Sequence, residues 1–235
     1  MNLLRNFALG SIALAASLAA NAAGFQNGGF ENGAPQPPLG SDVTLGPGDT
    51  SMTGWTSYGL EWSGAGNGRS GDVAWLKCPG GCWTDLTPSQ GQNFVDLTGY
   101  AIHDYGAIYQ TFDTVAGTTY NVSFDLGRSD TWTGAGNAAQ LFAVAHAGAS
   151  IIDDSDPSWL SFTNTNQGWA SRGFSFVATS ATTSLFFAGG YNSNDYIGLD
   201  NVTVTAAPVP EPETYAMMLA GLGALGFIAR RRKAQ

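Results

Sequence analysis

Between residues 24 and 205 the chain is built from short runs in which apolar and polar side chains alternate. Stretches rich in Gly, Asn, Ser and Asp separate these runs. Tyr120, Val122, Phe124 and Leu126 alternate with polar neighbours. Phe174, Phe176 and Ala178 do the same, as do Val202 and Val204 after Ile197 and Leu199. A period of two sends one side of a strand into a core and the other toward water, and no helical period competes with it here. The pattern predicts strands at 24–30, 54–62, 93–97, 107–112, 119–126, 139–145, 168–177, 182–188 and 197–205. Short strands at this spacing predict an all-β domain, a single jelly-roll or β-sandwich. No internal repeat points to a solenoid or propeller.

Both ends of the chain depart from this pattern. Residues 1–22 read as a signal peptide: Arg5 supplies the positive start, 7–19 are nearly all apolar, and Ala20-Asn21-Ala22 is a small-x-small cleavage site. At the other end, Ala206-Ala207-Pro208-Val209-Pro210-Glu211-Pro212 cannot extend a strand, because proline has no backbone N–H to donate. An apolar stretch, 215–229, follows, and then Arg230, Arg231, Arg232 and Lys233. As a helix that stretch would span roughly 22 Å, short of a hydrocarbon core of about 30 Å, so it makes a marginal span with the basic cluster on the cytoplasmic side. The expected organisation is signal peptide 1–22, β-sandwich 23–206 and tail 207–235, with membrane contact only through the C-terminal helix.

Charge narrows the function classes. The chain carries 9 basic and 18 acidic residues, and the middle region holds 16 of the acids and only Arg69, Lys77, Arg128 and Arg172 as bases. A domain with that balance repels nucleic acid, whose binding needs Lys and Arg to displace counterions. Oxygen-rich acidic sites could instead hold Ca²⁺. Cys78 and Cys82, in Cys-Pro-Gly-Gly-Cys, are expected to pair as a local disulfide after export; the alternative, a metal site, lacks nearby His or Cys to complete a zinc shell.

The tail, with Pro210, Glu211 and Pro212 before a short apolar helix and Arg230, Arg231 and Arg232 after it, resembles the PEP-CTERM sorting signal. The resemblance implies export in a Gram-negative bacterium, processing by an exosortase, and a mature protein at the cell surface or in the extracellular matrix. In the middle region, Gly-Phe-Glu-Asn-Gly near the start, Gln92-Asn-Phe-Val-Asp-Leu-Thr-Gly, Thr119-Tyr-Asn-Val-Ser-Phe-Asp-Leu and the closing Ile197-Gly-Leu-Asp-Asn-Val-Thr-Val resemble, in that order, galactose-binding-like β-sandwich modules of the DUF642 and choice-of-anchor types. The resemblance implies a jelly-roll fold, and some relatives of that fold bind polysaccharide. It also implies a structural Ca²⁺ between the first and last strands, at Glu31 and Asp200, with Asn27 and Gly29 offering backbone carbonyls. The alternative for these two acids is a pair of solvated strand-end carboxylates in turns.

Aromatic side chains carry the ligand question. Trp55, Phe94, Tyr109, Phe112, Tyr120, Phe124, Phe174 and Phe176 fall in alternating strands and are expected in the core. Trp62, Trp75, Trp83, Tyr100, Trp132, Trp159 and Tyr191 lie in or beside polar, Gly-rich stretches. Exposed aromatic faces stack on the C–H faces of sugar rings. Trp62, Trp83, Tyr100 and Trp132 are therefore candidate platforms, with Asn93 and Asp96, and Asp130 beside Trp132, to bond hydroxyls. The alternative is that loop tryptophans plug the ends of the sandwich.

Signs of catalysis are sparse. His103 and His146 are the only histidines, no G-x-S-x-G elbow marks a serine, and no spacing nominates a carboxylate pair. Asp153, Asp154 and Asp156 lack the Gly and terminal Glu of a calcium loop. Asn121-Val-Ser and Asn201-Val-Thr fall within strands and read as chance sequons. The sequence thus predicts a non-catalytic module for extracellular polysaccharide. A structural surface protein that binds other proteins, and an unrecognised glycan hydrolase, are the alternatives.

Overall fold

The structure, a computed structural model, describes residues 24–59, 71–82, 85–98, 106–129, 131, 138–148, 156–190, 196–208, 217–223 and 230. Among them are eleven strands, all within the compact unit Ala20–Ala207: β1 (Ser41–Leu45), β2 (Thr56–Gly59), β3 (Val73–Lys77), β4 (Asn93–Asp96), β5 (Gly106–Asp113), β6 (Thr119–Ser129), β7 (Ala139–Ala147), β8 (Leu160–Asn164), β9 (Gly168–Val177), β10 (Thr182–Gly189) and β11 (Tyr196–Ala206). They form two antiparallel sheets, one of six strands in the order β1-β3-β4-β11-β6-β9 and one of five in the order β2-β5-β10-β7-β8. The expected all-β sandwich is what the chain forms.

The main core lies between the sheets. Tyr120, Val122, Phe124 and Leu126 of β6 enter it with Leu199, Val202 and Val204 of β11, and meet Ile108, Phe112, Leu185 and Phe187 from the facing sheet. On β6 the intervening Asn121 and Ser123 are exposed, as a period of two requires. Phe124 contacts Phe187 edge to face, with ring centroids 5.1 Å apart.

Residues 24–30, expected as a strand, form turns instead. Asn27 and Phe30 have φ of 54° and 59°, left-handed values that no strand accommodates. Two core tryptophans fix the segment: Trp55 Nε1 donates to the Asn27 carbonyl (2.9 Å) and Trp75 Nε1 to the Phe30 carbonyl (2.8 Å). Gly28 packs so tightly that a Cβ there would lie 1.9 Å from the Val202 carbonyl oxygen.

Three strands are absent from the sequence pattern. β1 and β8 are short and polar. β3 is buried on both sides, so it shows no alternation. Its Trp75, expected beside a loop, is fully buried in the core. The outer side of β3 and β4 is covered by the chain's own residues 78–82 and 85–92, a strap that packs Cys78, Cys82 and Leu86 with Ala74, Leu76 and Phe94 under Trp169 and Tyr196. The Cys78–Cys82 disulfide closes one end of this strap, with Cα atoms 5.4 Å apart. The strand expected at 54–62 is observed at Thr56–Gly59, and 60–62 lie outside the described residues.

Outside the sandwich unit, 217–223 and 230 are helical, and Met217, Met218, Leu219 and Leu222 are exposed. Among the described residues no helix is long and apolar enough to cross a membrane.

Candidate functional site

The outward faces of the two sheets differ in chemistry. On the six-stranded sheet, the part not covered by the strap carries short polar side chains bonded across strands: Ser123 to Thr203 (2.7 Å), Ser175 to Asn121 (2.7 Å) and Ser171 to Asp125 (2.6 Å). These groups are paired with each other and offer no apolar platform.

The five-stranded sheet presents aromatic rings outward. Its register places Tyr58, Ala107, Ala188, Phe142 and Ser161 in one row across the strands. Thr56, Tyr109, Phe186 and Val144 form the next row, and Thr111, Ser184 and His146 the third. Adjacent strands lie about 4.8 Å apart, so the first row extends over roughly 19 Å. Tyr109 stacks on Phe186 with centroids 5.0 Å apart, and Tyr58 meets Tyr109 edge-on at 6.4 Å. Trp159, in the turn before β8, lies over both rows: it packs against Ala107 and Ala188 and against Val144 and Phe186. Tyr58, Tyr109, Phe142 and Trp159 are half-buried, so each keeps part of its surface at the solvent boundary. Gln140, whose amide donates to Ser161 Oγ (3.1 Å), and Thr111, which shares a 2.7 Å hydrogen bond with Ser184, supply polar groups at the margin. A face of flat rings bordered by amide and hydroxyl groups can hold a molecule with apolar C–H faces and hydroxyl edges.

The sequence pattern points Tyr109 into the core and does not single out Tyr58, Phe142 or Phe186. One signal for the face is present: Phe186 and Phe187 are adjacent, and a strand apolar on both sides needs a second apolar environment. Of the loop aromatics named from sequence, Trp159 lies on this face and Trp75 in the core. Trp62, Trp83, Tyr100, Trp132 and Tyr191 lie outside the described residues, as do Asp130, His103, Asp153, Asp154, Pro210, Glu211, Pro212, Arg231 and Arg232. Arg230 is helical and exposed.

Asn93 and Asp96, expected to reach sugar hydroxyls, are buried structural groups. Asp96 Oδ1 accepts from the Thr98 backbone N–H (2.9 Å), from Thr98 Oγ1 (2.6 Å) and from the Ile197 N–H (3.3 Å), locking the end of β4 to β11. Burial pushes its pKa up to about 6 against these hydrogen bonds. Asn93 Nδ2 donates to Gln36 Oε1 (3.3 Å), behind the loop that enters β4.

Glu31, Gly29 and Asp200 converge on the far end of the strap. Glu31 Oε1 accepts from the backbone N–H groups of Gln92 (2.7 Å) and Asn93 (2.8 Å). Gly91 makes this possible: a Cβ there would lie 2.2 Å from that oxygen. Asp200 Oδ2 accepts from Gln90 N–H (2.9 Å) and Ser89 Oγ (3.1 Å), and Oδ1 from Asn201 N–H (2.6 Å). All of these donors are neutral. Burial therefore dominates and pushes Asp200 up to about 6. Gly29 sits beside it, its ideal Cβ position 3.9 Å from Asp200 Oδ1. The fit to calcium is partial. Glu31, Asp200 and the Gly29 carbonyl are hard oxygen donors. The Asn27 carbonyl already accepts two N–H groups, from Trp55 and Phe30, so it drops out of the ligand set. Among the described residues no three His, Cys, Asp or Glu side chains group around one ion position.

Among the described residues, His146 facing Ser184 across the β7–β10 ladder is the one juxtaposition on this face with a catalytic look. The Ser184 hydroxyl, however, is fully buried and donates to the Gly148 carbonyl (2.7 Å), which occupies the proton a base would have to take.

Residues 23–205 match the model of the family described as "Protein of unknown function (DUF642)", and residues 208–233 match the PEP-CTERM protein-sorting motif. No curated protein matches the chain. Among solved structures, the chain is similar to TmCBM61 in complex with β-1,4-galactotriose, at 14% identity and a TM-score of 0.44 over 80% of this chain and 100% of that one. It is also similar to the CBM22-1 xylan-binding domain from Paenibacillus barcinonensis Xyn10C, at 11% identity and a TM-score of 0.42 over 75% of this chain and 99% of that one.

Proposed function

The chain belongs to the DUF642 family and carries a PEP-CTERM sorting motif, and from this we propose an exported, exosortase-processed protein whose β-sandwich binds extracellular polysaccharide without catalysis. The observation that carries the binding reading is the outward aromatic face of the five-stranded sheet, where Tyr58, Tyr109, Phe142 and Trp159 keep exposed surface beside Gln140 and Thr111. Aromatic rings fixed on strands stack on sugar rings at little entropic cost, and the marginal amide and hydroxyl groups supply direction. Each platform is expected to be worth about tenfold in affinity. Trp159→Ala and Tyr109→Ala should therefore each weaken binding to a retained polysaccharide by roughly that factor in affinity electrophoresis or calorimetry, with the fold intact by circular dichroism. If both variants bind as the parent does, the face is not the site. If the folded protein binds no glycan but does bind a surface protein, the structural-protein alternative takes its place.

Calcium between Glu31, Gly29 and Asp200 is the second part of the proposal, supported by the burial of Asp200 among neutral donors only. When bound, the ion supplies positive charge to a carboxylate that burial would otherwise leave uncompensated. Millimolar Ca²⁺ is expected to raise the melting temperature at neutral pH, and EDTA to reverse the rise. Asp200→Asn should remove the response. Identical melting with calcium and with EDTA would dismiss the ion.

A further inference from the structure

The charges around the aromatic face bear on which polysaccharide it takes. On the reading that this face binds glycan, we infer that its ligand is an uncharged polysaccharide and that chains bearing uronate, sulfate or phosphate groups are excluded. An anionic chain needs cationic side chains to replace the water and counterions it gives up. The sandwich region has four Lys and Arg residues in all, and three of them are accounted for. Lys77 is on β3, in the other sheet. Arg128 is buried on β6, with Nη1 donating to the Thr165 carbonyl (3.0 Å). Arg172 is on β9, with Nε and Nη2 on the Thr163 carbonyl (3.1 and 2.6 Å) and Nη1 on the Ser171 carbonyl (2.9 Å). Arg69 lies outside the described residues, and none of the other three stands in the aromatic rows of the five-stranded sheet.

What the face does have is acidic. Asp113 ends β5 on the same side as Tyr109 and Thr111, two and four residues along a strand of period two, and is exposed. Asp156 is in the turn that carries Trp159; its Oδ1 accepts from the Ser158 backbone N–H (2.8 Å). Those Ser158 hydrogen bonds, with a smaller contribution from the charge of His146, hold Asp156 below the ordinary carboxylate range, so it is ionised wherever the protein is expected to work. The region as a whole carries 16 acids. A uronate seated over Trp159 would bring its carboxylate toward Asp156, with no Lys or Arg of the described residues on this face to stand between them. Charges within about 8 Å at physiological salt are not screened from one another. Like charges placed this way discriminate against a partner as firmly as good contacts favour one.

The test uses a matched pair, polygalacturonate and its carboxyl-reduced counterpart, together with neutral galactan, xylan and glucan, on the full processed protein. The carboxyl-reduced chain or a neutral glycan should bind at least about tenfold more tightly than polygalacturonate, with little change as salt rises. Asp113→Asn with Asp156→Asn should strengthen binding of polygalacturonate and leave the neutral chains unchanged. Tighter binding of polygalacturonate that is lost in Tyr109→Ala would overturn this inference and leave the face reading standing. Neutral binding that survives both Tyr109→Ala and Trp159→Ala would overturn the face reading and this inference with it, as would a folded protein that binds none of the panel.

Discussion

Raising the pH from 5 to 7.5 in EDTA is expected to lower the melting temperature of this protein. Asp96 and Asp200 are the cause. Both are buried and both are pushed up from an ordinary value of 3.8 to about 6. An acid whose pKa is higher in the folded chain than in the unfolded one binds its proton more tightly when folded. Its contribution to stability is complete below the unfolded value and is lost as pH rises through about 6. A tenfold difference in proton affinity between the folded and unfolded chain corresponds to about 1.4 kcal/mol, so each group could cost up to about 3 kcal/mol at neutral pH. About half of that is already lost by pH 5, because the unfolded chain titrates at its ordinary value. Between pH 5 and 7.5 the two groups together cost roughly 3 kcal/mol, and at roughly 2–4 °C per kcal/mol this predicts a fall of about 5–10 °C. Asp85 and Asp156 are held below their ordinary values and titrate under this window: burial of Asp85 is outweighed by bonds from Ser129 and Gln167, and Asp156 is bonded by Ser158. General acid repulsion in a chain with 18 acidic residues pushes the same way. Asp96→Asn separates the causes. Asparagine keeps Oδ1 as the acceptor for Thr98 and Ile197 but carries no charge. It should melt higher than the parent at both values, and by about twice as much at pH 7.5 as at pH 5. Equal destabilisation at both values would show that Asp96 matters for its hydrogen bonds and not for its charge.

Trp75→Ala should come close to unfolding the domain. The indole is fully buried, packs in the main core, and donates to the Phe30 carbonyl. Removing a buried tryptophan costs about 3–5 kcal/mol, against a total stability of about 5–15 kcal/mol for a typical domain. The loss reaches beyond packing, because Trp75 and Trp55 together hold the turn that presents Gly29 and Glu31. Trp75→Phe keeps most of the apolar surface and leaves the Phe30 carbonyl without its donor, a cost of about 1–3 kcal/mol. The expected order of denaturant midpoints is therefore wild type, then Trp75→Phe, then Trp75→Ala. If Trp75→Phe melts with the wild type, the indole N–H contributes nothing to fixing the turn.

The strands with one wet side are readable in the sequence. β6 and β9 announce themselves because Asn121, Ser123, Ser171 and Ser175 alternate with their core partners. β3 does not, because the strap covers its outer side and alternation disappears when both sides are dry. The first expected strand fails for a different reason. Its Phe25 and Phe30 do reach the core, but from left-handed turns around Asn27-Gly28-Gly29, and burial alone cannot distinguish the two backbones. The candidate site is only partly legible. Loop tryptophans attract attention in a sequence, while Tyr58, Tyr109 and Phe142 look like core residues until register shows that they point away from it. Asp96 looks like a hydroxyl partner because nothing in the sequence says that Thr98 and Ile197 surround it.

The last strand has neighbours on both sides. β11 lies between β4 and β6, and its run alongside β6 extends from Tyr196 to Ala206, interrupted only between Asp200 and Thr203. The chain leaves the sandwich directly from its end, where Ala207 N–H donates to the Thr119 carbonyl (2.8 Å). A molecule held by its C-terminal tail against flow or a sliding neighbour would transmit the pull along this strand. Such a load does not peel an edge away one bond at a time. It has to shear the β11–β6 ladder along its length, and with it the β11–β4 pairing at Gly198 and Leu199, so a pull on the tail would load a whole strand at once.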